Sequence, residues 1–216
     1  MKERTMQQPN PATVRLFYVH DPMCSWCWAF EPCWQEIQQQ LPQKVSLVRL
    51  LGGLAPDSSE PMPLAMQGFL QQTWKQIQTR VPGTNFNFEF WDRCSPRRST
   101  YPACRAVIAA REQQAEEAMT LAIQHGYYLK ARNPSDAATL IELAAEIGLD
   151  KTQFTQDLDS DKTQQRLLQE MAQGRELGAQ GFPSLVLEIS GQPQLLALDY
   201  TDPQATLRQI EQRLQG

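Results

Sequence analysis

Two cysteines with two residues between them, Cys24-Ser25-Trp26-Cys27, stand where a strand pattern turns into a helix pattern. Upstream, Val14-Arg15-Leu16-Phe17-Tyr18-Val19 is rich in β-branched and aromatic residues and reads as a short buried strand. Downstream, Cys27, Phe30, Trp34, Ile37 and Leu41 recur at helical spacing and draw one apolar stripe. The first cysteine therefore falls at a helix N-terminus, where unpaired backbone N–H groups and the positive end of the helix dipole favour a thiolate. The second falls one turn in, on the stripe that faces the core. The expectation is an exposed nucleophile, Cys24, above a shielded resolving thiol, Cys27, which is what disulfide exchange requires.

Other readings of the pair compete with this one. A zinc half-site wants two further thiolate or imidazole ligands at finger-like spacing. Cys33 is near, but its helical neighbours are core residues, and Cys94 and Cys104 do not form a second such pair. No metal site is expected. Cys33 reads as inert packing, as free buried cysteines commonly are. Cys94 and Cys104 read as separate reduced thiols, with a disulfide between them as the alternative. His20, four residues before Cys24, either tunes the thiolate or relays a proton, or is a hydrogen-bonded structural residue. His125 reads as structural. Trp28 is expected in the core, whereas Trp26, held between the cysteines, is expected to stay accessible and to touch substrate. The carboxylates among residues 112–117 read as a solvated helix face.

The order of elements extends the argument. Residues 1–12 are polar with two prolines and read as a loose tail. Residues 44–51 read as a second strand, stopped by Gly52-Gly53, so strand, helix and strand imply a parallel pair with a right-handed crossover. From about 64 to 177 the texture is helical. Leu64 to Arg80 is one amphipathic segment, Ser99-Thr100 with Pro102 opens another, and Asn133 to Asp136 opens a third that Gly148 closes. Residues 162–177 form a further helix, closed by Gly178. Residues 82–96 read as loop, with a possible extended piece over Phe86–Phe90. Strand character returns at Phe182–Ile189, a turn is expected at Gly191-Gln192-Pro193, and Gln194–Leu198 is expected to pair antiparallel. Asp202 caps a last helix, with Pro203 at its first position.

The result is an α/β chain: a thioredoxin-fold domain from residues 12–56 and 178–216, interrupted by an all-helical insertion at 57–177. The net charge of −4 and the lack of a basic patch argue against nucleic acid as a partner. No apolar run reaches the roughly 18 residues of a membrane span. The polar start lacks the apolar segment of a secretory signal, so the expected location is the cytoplasm. Five cysteines in a reducing compartment argue against a disulfide framework.

Cys24-Ser25-Trp26-Cys27, the downstream Gly181-Phe182-Pro183-Ser184 and the helical insertion together resemble the DsbA-like thioredoxin-fold oxidoreductases. The likeness is greatest to cytosolic members related to FrnE and to protein-disulfide isomerases. The resemblance covers nearly the whole chain, and Pro32 matches the kink-forming proline of thioredoxins. It implies a cis bond before Pro183, with that proline packed against the active-site sulfurs. A cis X–Pro bond costs only ~0.5–1 kcal/mol over trans. Proline also brings no N–H to the thiolate, and the Phe182 backbone is left to pair with an extended substrate.

The implied activity is thiol–disulfide exchange on protein or peptide cysteines. Cys24 and Cys27 would be catalytic, and Trp26, Phe182 and Pro183 would contact substrate. No cofactor is implied beyond glutathione as a redox partner; the electron donor is either a small molecule or a thioredoxin-type protein. Two departures leave oxidase, reductase and isomerase open: no histidine lies between the cysteines, and Phe182 is bulky. Without that histidine, the helix terminus and a Ser25 hydrogen bond are left to stabilise Cys24. Two rivals stand beside this reading. One is a glutathione-dependent kappa-type transferase or isomerase, a class that usually carries serine at the nucleophile position. The other is a non-catalytic, chaperone-like binding module.

Overall fold

The computed structural model describes residues 14–215; the polar segment through residue 12 lies outside them. Strand β1 (Val14–His20) is followed by helix α1 (Ser25–Gln40), with Pro32 inside it, and by strand β2 (Val45–Leu51). Strands β3 (Ser184–Ile189) and β4 (Gln192–Leu196) and helix α9 (Pro203–Gln215) close the chain. The four strands form one sheet in the order β2-β1-β3-β4. β1 runs parallel to β2 and antiparallel to β3, with Val14 opposite both Val45 and Ile189.

β1 is apolar along nearly its whole length because both faces of the sheet are covered. Leu16 and Tyr18 point into a core with Phe30, Trp34 and Ile37 of α1 and Leu207 and Ile210 of α9. Phe17 and Val19 point to the other face, with Leu50, Val186 and the partly buried Phe182.

The hairpin turn comes earlier than expected. Ser190 and Gly191 both adopt positive φ (52° and 80°), the two-residue geometry that matches strand twist, and Gln192 already pairs with Ile189. Pro193 is therefore a strand residue rather than a turn residue, tolerated because β4 is a sheet edge.

Between β2 and β3 lie helices α2 (Leu64–Arg80), α3 (Phe90–Arg93), α4 (Tyr101–Arg111), α5 (Glu116–Lys130), α6 (Ala137–Glu146), α7 (Lys151–Leu158) and α8 (Asp161–Glu176). The expected starts of α4 and α6 hold, and the expected glycine caps Gly148 and Gly178 both have φ of +84°. Helices α5 and α7 were not among the elements expected from the sequence pattern.

Phe86–Phe90 is not extended. Its rings turn inward around the fully buried Trp74, with Phe86 stacked at 4.8 Å, and Phe90 begins α3. Aromatic residues at alternate positions here reflect packing about one indole, not a pleat. The backbone of the segment is satisfied elsewhere, Asn87 N–H donating to the Tyr128 carbonyl at 2.6 Å.

The helices are tied to the sheet by charge as well as by packing. The buried Glu170 carboxylate on α8 accepts from the Leu51 N–H at 3.0 Å and from Arg111 at 2.6 Å. The 112–117 carboxylates are not simply solvated: Glu116 pairs with Arg111, and Glu117 with Arg49 of β2.

Candidate active site

The parallel pairing carries β1 to His20, whose carbonyl accepts from Gly52 N–H at 2.7 Å. The chain then turns. Asp21, fully buried, accepts from Met23 N–H (2.8 Å) on one oxygen and from Leu54 N–H (2.7 Å) and the Thr100 hydroxyl (2.6 Å) on the other. Its own carbonyl accepts from Cys24 N–H at 3.0 Å. Those bonds deliver Cys24 as the N-cap of α1, in extended conformation and with its side chain uncommitted to capping.

All five cysteines are free thiols. Cys24 is 7% exposed and Cys27 0%. The expectation of an openly exposed nucleophile is thus corrected: Cys24 lies on the floor of a cavity of about 430 Å³, under the 180–182 loop. Its sulfur points at the Phe182 carbonyl, 3.4 Å away. The Phe182–Pro183 peptide bond is cis. Sequence separation is large, yet the fold brings Cys24, Cys27 and Phe182 together, with Trp26 on the wall of the same cavity.

The two sulfurs differ electrostatically. The thiol of Cys27 donates toward Cys24 and, with the N–H groups of Cys27 and Trp26, pulls the Cys24 pKa down against burial and the charge of Asp21. Burial, the proton it donates to Cys24 and the charge on Cys24 push Cys27 well above an ordinary thiol. Hydrogen bonds to the charged form of an N-cap sulfur favour the thiolate over the thiol, while burial opposes it.

The neighbouring residues settle into distinct places. Trp26 is half-buried, its ring meeting Tyr200 edge-on at 5.2 Å. Trp28 is half-buried rather than core, and its indole N–H donates to the Asn85 carbonyl at 3.0 Å. Ser25 does not support Cys24; its hydroxyl accepts from the Trp74 indole at 2.9 Å.

His20 is stacked on Tyr18 at 4.6 Å, and burial, with Arg49 and Arg111 adding to it, drives its pKa to about 3. It is a neutral core ring, not a charge that tunes the thiolate. Cys33 is buried and pushed up to about 11 by burial. Cys94 donates to the Ala131 carbonyl, and Cys104 lies against Asp21. Among the described residues no group of three His, Cys, Asp or Glu side chains is placed to hold a metal ion, and none of the helices is long and apolar enough to cross a membrane.

Sequence reasoning missed Asp21. The available signal was a carboxylate directly after an apolar strand and before a proline, a position where an acid is costly unless it is used. Arg98, on the cavity wall, was missed as well.

A CxxC pair at a strand-to-helix cap, in contact with a cis-proline loop at one end of a β2-β1-β3-β4 sheet, defines a thioredoxin-fold thiol site. The family model of the DSBA-like thioredoxin domain matches residues 13–210, and the chain belongs to that family. It is similar to a proposed protein disulfide isomerase from Nitrosomonas europaea, at 27% identity and a TM-score of 0.81 over 95% of this chain and 98% of that one. It also shares its fold with the cytosolic disulfide reductase DsbM from Pseudomonas aeruginosa, at 24% identity and a TM-score of 0.75 over 93% and 98% of the two chains. DsbM has also been solved with GSH, and that structure matches with a TM-score of 0.72. Among curated proteins, the ClpXP adapter protein SpxH of Bacillus subtilis is 24% identical over 179 residues, 82% of this chain and 58% of that protein. The same adapter from Halalkalibacterium halodurans is 25% identical over 83% and 60% of the two. The chain thus spans about three-fifths of the length of the curated relatives it matches.

Proposed function

We propose that this member of the DsbA-like thiol–disulfide oxidoreductase family exchanges disulfides with protein or peptide cysteines in the cytosol. Cys24 acts as nucleophile and Cys27 as resolving thiol. The observation that carries the reading is the inequality of the two sulfurs: Cys24 caps α1 beneath an open cavity with its pKa lowered, and Cys27 lies fully buried one turn below with its pKa raised.

In the oxidising direction the Cys24 thiolate attacks one sulfur of a disulfide. A mixed disulfide forms, and the first leaving thiolate takes the proton that Cys24 gave up. The Cys27 sulfur, releasing its proton to the second leaving group, then attacks Cys24 and closes the internal disulfide. Two electrons pass from the dithiol to the substrate, and the reverse sequence reduces the protein. Trp26 and Phe182 line the approach, the buried Pro183 would contact substrate through the loop it fixes, and residues 57–177 act as a helical insertion over a thioredoxin-fold domain of 12–56 and 178–216. DsbM supports the cytosolic assignment and the direction of reduction, and its GSH-bound form supports glutathione as a redox partner.

The test is a trapping experiment. Cys27→Ser removes the resolving step and should accumulate covalent adducts that reductant releases; Cys24→Ser should form none and lose turnover. Adducts only with Cys24→Ser would reverse the roles. A second reading is favoured by the SpxH relatives, whose name is that of an adapter. In that case partner binding would survive replacement of both cysteines.

A further inference from the structure

The cavity over Cys24 has a lopsided wall. Trp26, Phe69, Leu70 and Phe182 give it apolar surface, and its charged side chains are two arginines, Arg97 and Arg98, with no carboxylate and no lysine among them. In a chain of net charge −4 that is a local reversal of sign. Arg97 is engaged: its guanidinium donates to the Ser135 carbonyl and to Asp136, both at 2.6 Å. Arg98 takes part in no side-chain hydrogen bond or ion pair among the described residues, although it is half-buried.

A guanidinium partly stripped of water and left unpaired is matched best by an oxyanion that can accept two parallel N–H bonds, and a carboxylate has that geometry. The occupant must also bring sulfur to Cys24. A cavity of about 430 Å³ lies in the range that holds one small ligand. The nucleophile, 7% exposed at its floor, is poorly placed to meet a flat protein surface.

We infer that Arg98 is the carboxylate anchor of a substrate subsite beside Cys24, and that the preferred substrate class is a small, carboxylate-bearing peptide thiol or disulfide of about the size of glutathione. The inference rests on the assignment of Cys24 as nucleophile and narrows its substrate. With glutathione disulfide the Cys24 thiolate forms Cys24–S–S–glutathione and expels one glutathione thiolate, which takes the proton lost by Cys24. Cys27 then attacks Cys24, forming the internal disulfide and expelling the second glutathione, which takes the Cys27 proton. One disulfide becomes two thiols as the protein dithiol loses two electrons.

The experiment compares oxidation of the reduced protein by glutathione disulfide and by the uncharged bis(2-hydroxyethyl) disulfide. The wild type should prefer the charged substrate in kcat/KM. Arg98→Ala should cut that preference about tenfold or more, chiefly through KM, and Arg98→Lys should restore part of it. S-methylglutathione, which cannot exchange, should bind the wild type and not Arg98→Ala. Raising ionic strength on the wild type should erode the preference, which keeps the test available if Arg98→Ala fails to fold. Equal use of both disulfides by the wild type, or an unchanged ratio in a folded Arg98→Ala, would overturn the anchor and leave the nucleophile assignment standing. Oxidation of the pair by neither disulfide would overturn both.

Discussion

The carboxylate of Asp21 accepts a 2.6 Å hydrogen bond from the hydroxyl of Thr100, and so the turn that delivers Cys24 is held from the N-cap residue of α4. Asp21 is fully buried, and burial raises its pKa while Leu54 N–H, Thr100 and Met23 N–H oppose the rise. Removing one of those donors leaves a buried acceptor short of a partner. Thr100→Val, which keeps the shape, should destabilise the fold by about 1–3 kcal/mol. Urea unfolding would measure it, and a loss within 0.5 kcal/mol, roughly that of an ordinary surface change, would show that the tie carries little weight.

Among the five thiols only Cys24 has its pKa lowered; burial raises Cys27, Cys33, Cys94 and Cys104. At a pH of about 6 an ordinary thiol is almost wholly protonated. Iodoacetamide at that pH should therefore label Cys24 first. Because the sulfur sits on a cavity floor, a bulky maleimide should lose more of its rate at Cys24 than at Cys94, the one cysteine that is not buried. Peptide mapping that finds another cysteine labelled first would refute the assignment of the nucleophile.

Glu31 and His20 line one small polar recess between α1 and β1 and should give the stability curve two opposed slopes. Burial, with Glu117 adding to it, raises Glu31 from 4.5 to about 7, against Gln35 and Arg49. Between those values the native state holds a proton that the unfolded chain has released, so stability falls as pH rises and the full cost is present above 7. His20 falls from 6.5 to about 3, so in that window the unfolded chain binds the extra proton and stability is lost as pH falls. From 4.5 to 6.5 the two cancel in part. Glu31→Gln removes the first slope: stability should then rise with pH across that range, and at pH 8 the variant should exceed the wild type by up to about 3 kcal/mol. A wild-type-like pH profile in the variant would contradict the burial argument.

The strand–CxxC–helix passage was legible because each of its signals is local, β-branched residues to Val19 and a helical stripe from Cys27, whereas the proline loop at Phe182-Pro183 came only from the resemblance to the family. The starts of α4 and α6 were legible for the same reason, through Pro102 and Asp136. What could not be read depends on residues far apart in the chain. Cys24 is buried with its sulfur 3.4 Å from the Phe182 carbonyl, 158 residues away, and nothing near Cys24 in sequence says so. Asp21 is tolerated because Leu54 and Thr100 reach it. Phe86 and Phe90 alternate like a strand, but the indole of Trp74 draws both inward. Arg98 stands out only once Arg97 is seen to be occupied by Asp136.

The last prediction concerns Gly52, at the end of β2. A Cβ there would lie 2.0 Å from Cε1 and 2.1 Å from Cζ of Phe182, so the bare glycine is what lets that ring settle over the sheet end. The same residue presents its carbonyl to the Cys24 sulfur. Gly52→Ala must push the ring aside, and because an aromatic ring is rigid the displacement passes to the loop that holds the carbonyl. The expected result is a stability loss of about 1–3 kcal/mol from overpacking, together with a fall in disulfide-exchange kcat/KM. Phe182→Ala alone should remove the ring contact without the clash. In the Phe182→Ala background the added Gly52→Ala change should then cost little, because there is no ring left to displace. Stability and exchange rates for both single variants and the double variant form a cycle, and a coupling of at least 0.5–1 kcal/mol is expected for residues in contact. Additive losses would mean that Gly52 acts on the backbone alone, and that the ring of Phe182 plays no part in placing the carbonyl that faces Cys24.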